Sequence, residues 1–142
     1  MALQAIAYTS QAIPNLGSSR VDELTLRAAA HNRIAGVTGV MLFDGSRFLQ
    51  YIEGPDDGMS VVYARIEYSR SHTGMVELAR GRVAERQFPY WTMRWISVAE
   101  SELQATLMSD WPSLSSRDLA ASRGRTSTGL DRLAELAAPY IA

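Results

Sequence analysis

The stretch GVTGVMLFDGSRFLQYIEG, residues 36–54, constrains the fold more than any other part of the chain. Two apolar runs flank Asp44 and Gly45, and an Asp-Gly pair in this setting is typical of a tight β-turn. We therefore predict a β-hairpin. Its second strand carries Gln50 among apolar residues, and a buried amide without partners costs about 1–3 kcal/mol. Gln50 must therefore find hydrogen-bond partners inside the protein.

The rest of the first hundred residues alternates between strand and helix patterns. We predict a strand over residues 2–9 and a helix that Ser19 caps and that ends at about His31, just before Asn32. A second helix is marked by Met59, Val62 and Ile66, and two further strands by MVELARGRVA (75–84) and WTMRWISV (91–98). This order predicts an α+β sandwich of the ferredoxin-like type, with two helices on one face of a four- or five-stranded sheet.

The chain changes character after Val98. AESELQATL resembles a short helix, and SDWPSLSSRD a turn followed by a fresh helix start. The final helix carries an apolar stripe of Leu130, Leu133, Leu136 and Ala137. We predict a core domain at residues 1–98 and a helical C-terminal extension at 99–142. The extension covers the second face of the sheet, or presents a surface to a partner or a second copy, or does both.

Composition excludes several classes of function. A net charge of -1 over 142 residues offers no basic stripe for nucleic acid and no polybasic segment for a membrane. Apolar runs are far shorter than the roughly 20 residues that span a bilayer, and the N-terminus lacks a cationic segment, so we expect a soluble cytoplasmic protein. The chain has no cysteine, which excludes disulfides and thiolate chemistry. His31 and His72 alone are too few for a multi-histidine metal site.

Four unusual side chains converge in the predicted layout. Tyr8 lies near the end of the first strand, Asn32 after the first helix, Gln50 in the third strand, and Met93 in the fifth strand beside Trp91. A phenol, two amides and a thioether could line a pocket between the two helices and the sheet. This set has no strong acid, base or nucleophile, so it suits a planar ligand with polar edges better than a substrate for hydrolysis.

Most of these residues also have an ordinary structural interpretation. Tyr8 could be a core residue with its hydroxyl at the rim, and Asn32 could end its helix with a left-handed backbone. Met93 could fill the core, and Arg65 could bind an anion or remain solvated. Gln50 is the exception, because glutamine is rare within a buried strand.

The fragments that carry these residues resemble a known family. They are AYTS with Tyr8, HNRIAGVTGVMLFDGSRFLQYIEGP with Asn32 and Gln50, YARI with Arg65, and FPYWTMRWISV with Trp91 and Met93. In this order and spacing they are similar to the BLUF domains, blue-light sensors that use FAD, over about residues 2–98. The total length resembles that of short BLUF proteins, which join the sensor to a small helical tail without a catalytic output domain.

The resemblance implies a flavin whose ring lies between the two helices. The residues that would contact it are Tyr8, His31, Asn32, Gln50, Arg65, Ser69 and Met93. Gln50 would lie between the flavin and Tyr8 and bond to both, which would satisfy its amide. Ser69 departs from the family pattern, since some members carry Asp there, near the ribityl chain.

The resemblance also implies a mechanism. Under blue light Tyr8 would give up an electron and a proton, and Gln50 would be left in a changed hydrogen-bonding state, by rotation or by tautomerisation. The change would pass through Trp91 and Met93 to residues 99–142 and then to an unidentified downstream protein. The chain would act as a sensor rather than an enzyme. Its expected partners are the flavin and further copies of itself in a homo-oligomer.

Two other classes of function stay open on the residues alone. A small ferredoxin-like enzyme of the acylphosphatase type would use Arg20 and Asn32, but no glycine-rich phosphate loop supports it and Tyr8 and Gln50 would have no role. A module without any ligand would leave the polar residues at a rim. Among flavins, these residues do not separate FAD from FMN or riboflavin, and FAD is what the family implies.

Overall fold

The computed structural model describes residues 3–115 and 128–141, which form one sheet with helices on both faces. The strands are β1 (Leu3–Ala12), β2 (Thr38–Phe43), β3 (Arg47–Gly54), β4 (His72–Val83) and β5 (Trp95–Ser97). The helices are α1 (Ser18–Ala35), α2 (Asp56–Glu67), α3 (Glu100–Leu107) and α4 (Gly129–Ala137), with a 3₁₀ turn at Ala138–Tyr140. No helix within these two described ranges is long and apolar enough to cross a membrane.

The sheet has the strand order β4-β1-β3-β2-β5. The pairs β1–β3, β1–β4 and β2–β3 are antiparallel, and β5 joins the edge of β2 in parallel. This arrangement confirms the ferredoxin-like α+β fold predicted from the order of elements.

The hairpin between β2 and β3 forms around the Asp-Gly pair. Asp44 Oδ1 accepts hydrogen bonds from the backbone N–H groups of Ser46 (2.9 Å) and Arg47 (2.7 Å). Gly45 has a φ of 104°, in a region that side chains rarely adopt, so glycine is needed here. The turn sets the register that places Met41 opposite Gln50.

Side chains of the central strands alternate between two differently filled layers. On one face Ile6 and Ile52 pack with Met59 and Val62 of α2. On the other face, residues of the sheet pack with the C-terminal extension, as expected from a period of two. The members of that second cluster include Ala5, Ala7, Val40, Leu42, Leu49, Tyr51, Leu103, Leu114, Leu130, Leu133 and Ala137.

The extension therefore covers the second face of the sheet, as one interpretation of its apolar stripe predicted. Leu130, Leu133 and Ala137 of α4 are buried, and Leu136 packs at the edge of the same cluster. Part of the predicted fresh helix start, residues 116–118, lies outside the described residues.

The first helix is longer than predicted. It begins after Gly17, which occupies the N-cap position in place of Ser19, and it runs to Ala35. Gly36 ends the helix with a φ of 74°. Asn32 therefore lies in the last turn of α1 and does not follow the helix, and the left-handed cap proposed for it belongs to Gly36 because glycine adopts that backbone without steric cost.

The fifth strand is shorter than predicted, and Trp91 and Met93 lie before it. The bending segment that contains them is held to the edge of β2 by two hydrogen bonds, from Gly39 N to Trp91 O (3.0 Å) and from Met41 N to Arg94 O (2.8 Å). Since these bonds use the edge of β2 without a regular ladder, the segment stays irregular until Trp95.

Candidate functional site

A cavity of about 350 Å³ lies between α1, α2 and the sheet. Of the residues predicted for the site, six line it: Tyr8, His31, Gln50, Arg65, Ser69 and Met93. β1 and β3 provide Tyr8 and Gln50 as directly opposed neighbours of an antiparallel pair. The fold thus brings together most of the side chains that the sequence singled out.

The Gln50 amide has partners at both ends. The Tyr8 hydroxyl donates to Gln50 Oε1, and Gln50 Nε2 lies 3.8 Å from Met93 Sδ, a weak acceptor. Burial, and secondarily the negative charge that Tyr63 would carry when ionised, raise the pKa of the Tyr8 phenol well above its usual range. Tyr8 therefore keeps its proton at neutral pH, and its hydroxyl donates a hydrogen bond to Gln50 Oε1.

Asn32 is buried but does not line the cavity with the other six. Its side chain is 2% exposed, and its Nδ2 donates to the carbonyl oxygen of Thr92 at 2.7 Å. This bond ties the last turn of α1 to the residue that precedes Met93.

Trp91 and Met93 point to opposite sides of their segment. Met93 is buried and lines the cavity. Trp91 packs against the cluster on the other face of the sheet, where its ring stacks on Phe88 with the centroids 6.1 Å apart. A short segment therefore touches both layers of the molecule at once.

Two polar atoms of the cavity wall were missed in the sequence. Ser10 Oγ and His72 Nδ1 are buried and find no hydrogen-bond partner within the part of the chain that the structure describes. The other ring nitrogen of His72 lies 2.9 Å from the Ile66 carbonyl, which can only accept, so Nε2 carries a hydrogen, and in the neutral ring Nδ1 is an acceptor. Buried polar atoms normally have partners, so these two fit a ligand that brings its own polar groups.

The two helices that frame the cavity each contribute one arginine to its wall. Arg27 lines it one turn before His31 on α1, and Arg65 lines it from α2. Among the described residues, no Asp or Glu side chain is part of the cavity wall. Arginine is well suited to phosphate, so this lining fits a ligand with an anionic group.

The remaining wall is apolar, with Leu24, Met41, Phe48 and Ile66 among its members. Apolar walls with a few placed polar groups are typical of sites for flat organic ligands. The cavity therefore fits a flavin: apolar surfaces for the ring, the Gln50 amide for its polar edge, hydroxyls and a histidine acceptor for a ribityl chain, and arginines for phosphate. The fold and this cavity define a binding protein for a planar cofactor with an anionic tail.

Comparison with known proteins identifies the family. The family model described as "BLUF: Sensors of blue-light using FAD" matches residues 3–94. The chain belongs to the BLUF family, which is described as sensors of blue light that use FAD, and this confirms the resemblance seen in the sequence.

Three related proteins share this similarity. The photoactivated adenylate cyclase subunit beta of Euglena longa is 30% identical over 105 residues, which are 73% of this chain and 12% of that protein. The blue light- and temperature-regulated antirepressor BluF of Escherichia coli (strain K12) is 30% identical over 86 residues, 61% of this chain and 21% of that protein. The solved structure of BlrP1 BLUF has a TM-score of 0.66 at 29% identity and covers 100% of this chain and 91% of its own. This chain therefore spans only a small part of the two curated relatives.

Proposed function

We propose that light acts on this protein through a hydrogen-bond switch formed by Tyr8 and Gln50. The observation that carries the proposal is the bond from the buried Tyr8 hydroxyl to Gln50 Oε1 on the cavity wall. Blue light makes a bound flavin a strong oxidant. Tyr8, as the neighbouring phenol, would give one electron and its hydroxyl proton to the flavin and later take both back from it, so the cycle would leave no net redox change.

Gln50 is the residue that stores the change. While the Tyr8 hydroxyl has lost its proton, Oε1 of Gln50 loses its donor, and the amide is free to change its hydrogen-bonding state. Its other end then exchanges the weak contact with Met93 Sδ for a different partner. No covalent bond forms, which suits a chain without cysteine.

We assign the remaining predicted residues to holding the flavin. His31, Arg65 and Ser69 line the cavity and would hold the edge and the polar chain of the cofactor. Asn32 follows His31 in α1. It would contact the flavin and also hold the Thr92 carbonyl, to which its Nδ2 donates. Arg27, Ser10 and His72 extend the predicted set.

For the output, we propose that residues 1–98 form the sensor and residues 99–142 the extension that passes the signal on. Trp91 and Met93 belong to a segment that reaches both layers, and Ser97, the last residue of β5, lies shortly before α3. The signal would pass to a separate downstream protein in the cytoplasm. This chain would act as a homo-oligomer and would itself catalyse no reaction. The names of the relatives, an adenylate cyclase subunit and an antirepressor, support output to other protein functions.

Visible absorption spectra before and after blue illumination test the switch. The protein loaded with FAD should show a reversible red shift. Tyr8→Phe should bind flavin without any photocycle, and Gln50→Leu should bind flavin without a red-shifted state. Tyr63→Phe is the matched control: its ring lies 6.2 Å from that of Tyr8, and removing its hydroxyl should leave the red shift in place. A normal red shift in Tyr8→Phe or Gln50→Leu would refute the roles assigned here.

The same samples test the output. Limited proteolysis should cut residues 99–142 at different rates in the dark and under illumination, and Gln50→Leu should lose that difference. An identical pattern in the dark and in the light for the unmodified protein would contradict the role of the extension.

A further inference from the structure

Glu53 is a fully buried carboxylate outside the cavity. Its side chain is 0% exposed and lies on the opposite face of β3 from Gln50. Its two oxygens accept three hydrogen bonds: from the Tyr51 hydroxyl (2.9 Å), from Gln87 N (2.9 Å) and from Phe88 N (2.7 Å). A buried charge with so many donors is costly to disturb, because each donor would be left without a partner.

The side chain of Arg86 in turn binds backbone groups at the end of β3. Its Nη1 donates to the carbonyl oxygen of Glu53 (3.1 Å) and to Thr38 Oγ1 (2.8 Å), and its Nη2 donates to the carbonyl oxygen of Gly36 (2.7 Å). The side chain of Glu53 thus holds the backbone of residues 87–88, while the side chain of residue 86 holds the backbone at Glu53. The start of the segment between β4 and β5 is fixed from both sides.

The far end of this segment carries Met93. Phe88 connects the two ends, since its ring packs edge-on against Tyr51 (5.5 Å between centroids) and stacks on Trp91. From Phe88 the chain needs only five residues to reach Met93, whose sulfur lies against Gln50 Nε2. Movement of Gln87 and Phe88 at the start of the segment would therefore also displace the Met93 sulfur from Gln50.

We propose that Glu53 is a positioning residue for the light response: by holding Gln87 and Phe88 it keeps the segment of residues 84–94 in the conformation that places Met93 against Gln50. This inference rests on the proposed function of Gln50 and Met93. A carboxylate is required because glutamine would offer one acceptor oxygen and would turn an N–H group toward the backbone donors.

The absence of cysteine allows a test that does not depend on flavin. Thr92→Cys introduces one thiol next to Met93 and keeps the backbone carbonyl that Asn32 binds. Thr92 is half-buried, so an increase in the rate at which a thiol reagent labels this cysteine in the flavin-free chain of residues 1–142 reports loosening of the segment. Adding Glu53→Gln should speed labelling at least about fivefold, as expected when a buried charged hydrogen-bond group is lost.

Glu102→Gln is the matched control. Glu102 also accepts a backbone N–H, from Ala99 at 2.9 Å, but in the exposed first turn of α3, so its loss should leave the labelling rate within about twofold. If Glu53→Gln does not fold, Arg86→Gln removes the reverse contacts from a more exposed residue and should also speed labelling. If Glu53→Gln folds and its labelling rate is unchanged, the inference is wrong. If Glu53→Gln does not fold, an unchanged labelling rate in Arg86→Gln has the same meaning.

The loaded protein separates this inference from the proposed function. With FAD bound, Glu53→Gln should keep a red shift but change the rate of dark recovery at least about fivefold, while Glu102→Gln recovers normally. If Tyr8→Phe still cycles, the proposed function fails whatever Glu53 does. If Tyr8→Phe abolishes the cycle and Glu53→Gln both labels and recovers like the parent, only the role of Glu53 is wrong.

Discussion

The two faces of the sheet are built from the same strands but differ in what covers them. On the face of α1 and α2, β3 presents Gln50, and the layer contains a cavity in which Ser10 Oγ and His72 Nδ1 find no partner among residues 3–115 and 128–141. On the face of α3 and α4, the same strand presents Leu49 and Tyr51 to a continuous apolar cluster.

The two faces therefore have different roles, ligand binding on one and stability on the other. A cavity gives up dispersion contacts and leaves polar atoms without partners, so the face that binds the ligand is poorly placed to stabilise the flavin-free chain. The face under the extension buries large side chains such as Leu103 and Leu133 completely. We infer that the extension supplies much of the stability that the cavity lacks, and that a signal leaving the cavity must work against this packing.

The largest expected effect is on the packed face. Leu133→Ala should lower the free energy of unfolding by about 2–5 kcal/mol, the usual cost of emptying a fully buried leucine site. Urea denaturation of the flavin-free protein measures it. Met108→Ala, at an exposed residue beside α3, should change stability by less than about 0.5 kcal/mol. A loss below about 1 kcal/mol for Leu133→Ala would contradict this assignment, because the extension would then contribute little to stability.

A smaller effect is expected at Glu53, which belongs to the packed face but is charged. Burial raises the pKa of its carboxyl above the usual value, against the opposing hydrogen bonds from Gln87, Phe88 and Tyr51 and the charge of Arg86. A raised folded-state pKa means that the protonated form favours folding. The stability from this group is present below the unfolded pKa and is lost as pH rises through the folded one.

Denaturation of the parent and of Glu53→Gln at several pH values from about 4 to 7 tests this sign. The stability of the parent relative to the variant should decrease as pH rises through the window above the usual glutamate pKa. An opposite slope would mean that the three donors and Arg86 outweigh burial.

Local patterns in the sequence predicted what depends on neighbouring residues. The alternation of β3 placed Gln50 on a buried strand, and the Asp-Gly pair placed the hairpin turn. Asn32 and Met93 were assigned to the wrong elements for different reasons. Gly36, only four residues after Asn32, ends α1, and this glycine cap is a local signal that the prediction did not use. The segment of Met93 is held by hydrogen bonds from the edge of β2, which connect residues far apart in the chain and leave no local pattern.

The residues that the sequence analysis missed differ in whether the sequence contained a signal for them. Ser10 shares the face of Tyr8 on β1, but a serine near a strand end is ordinary. His72 lies in a polar stretch and Arg27 is a single arginine within a helix, and neither setting indicates a cavity. Glu53 did carry a signal, the same one that drew attention to Gln50: a polar side chain at the end of an apolar strand. The raised pKa of Glu53 and its three hydrogen-bond donors became visible only in the structure.

On the cavity face we expect the least change in stability. Gln50→Leu alone leaves the buried Tyr8 hydroxyl without its acceptor, so in the flavin-free protein it should cost about 1–3 kcal/mol. Combining it with Tyr8→Phe removes both partners, and the double variant should be within about 1 kcal/mol of the parent.

Urea denaturation of the parent, both single variants and the double variant gives the coupling energy of the pair. A double variant that loses as much as the two single variants together would show that Tyr8 and Gln50 also serve the stability of the fold. Near recovery in the double variant, with the red shift abolished when FAD is bound, would mean that this buried pair is kept for its light response, while the opposite face of the same two strands keeps the chain folded.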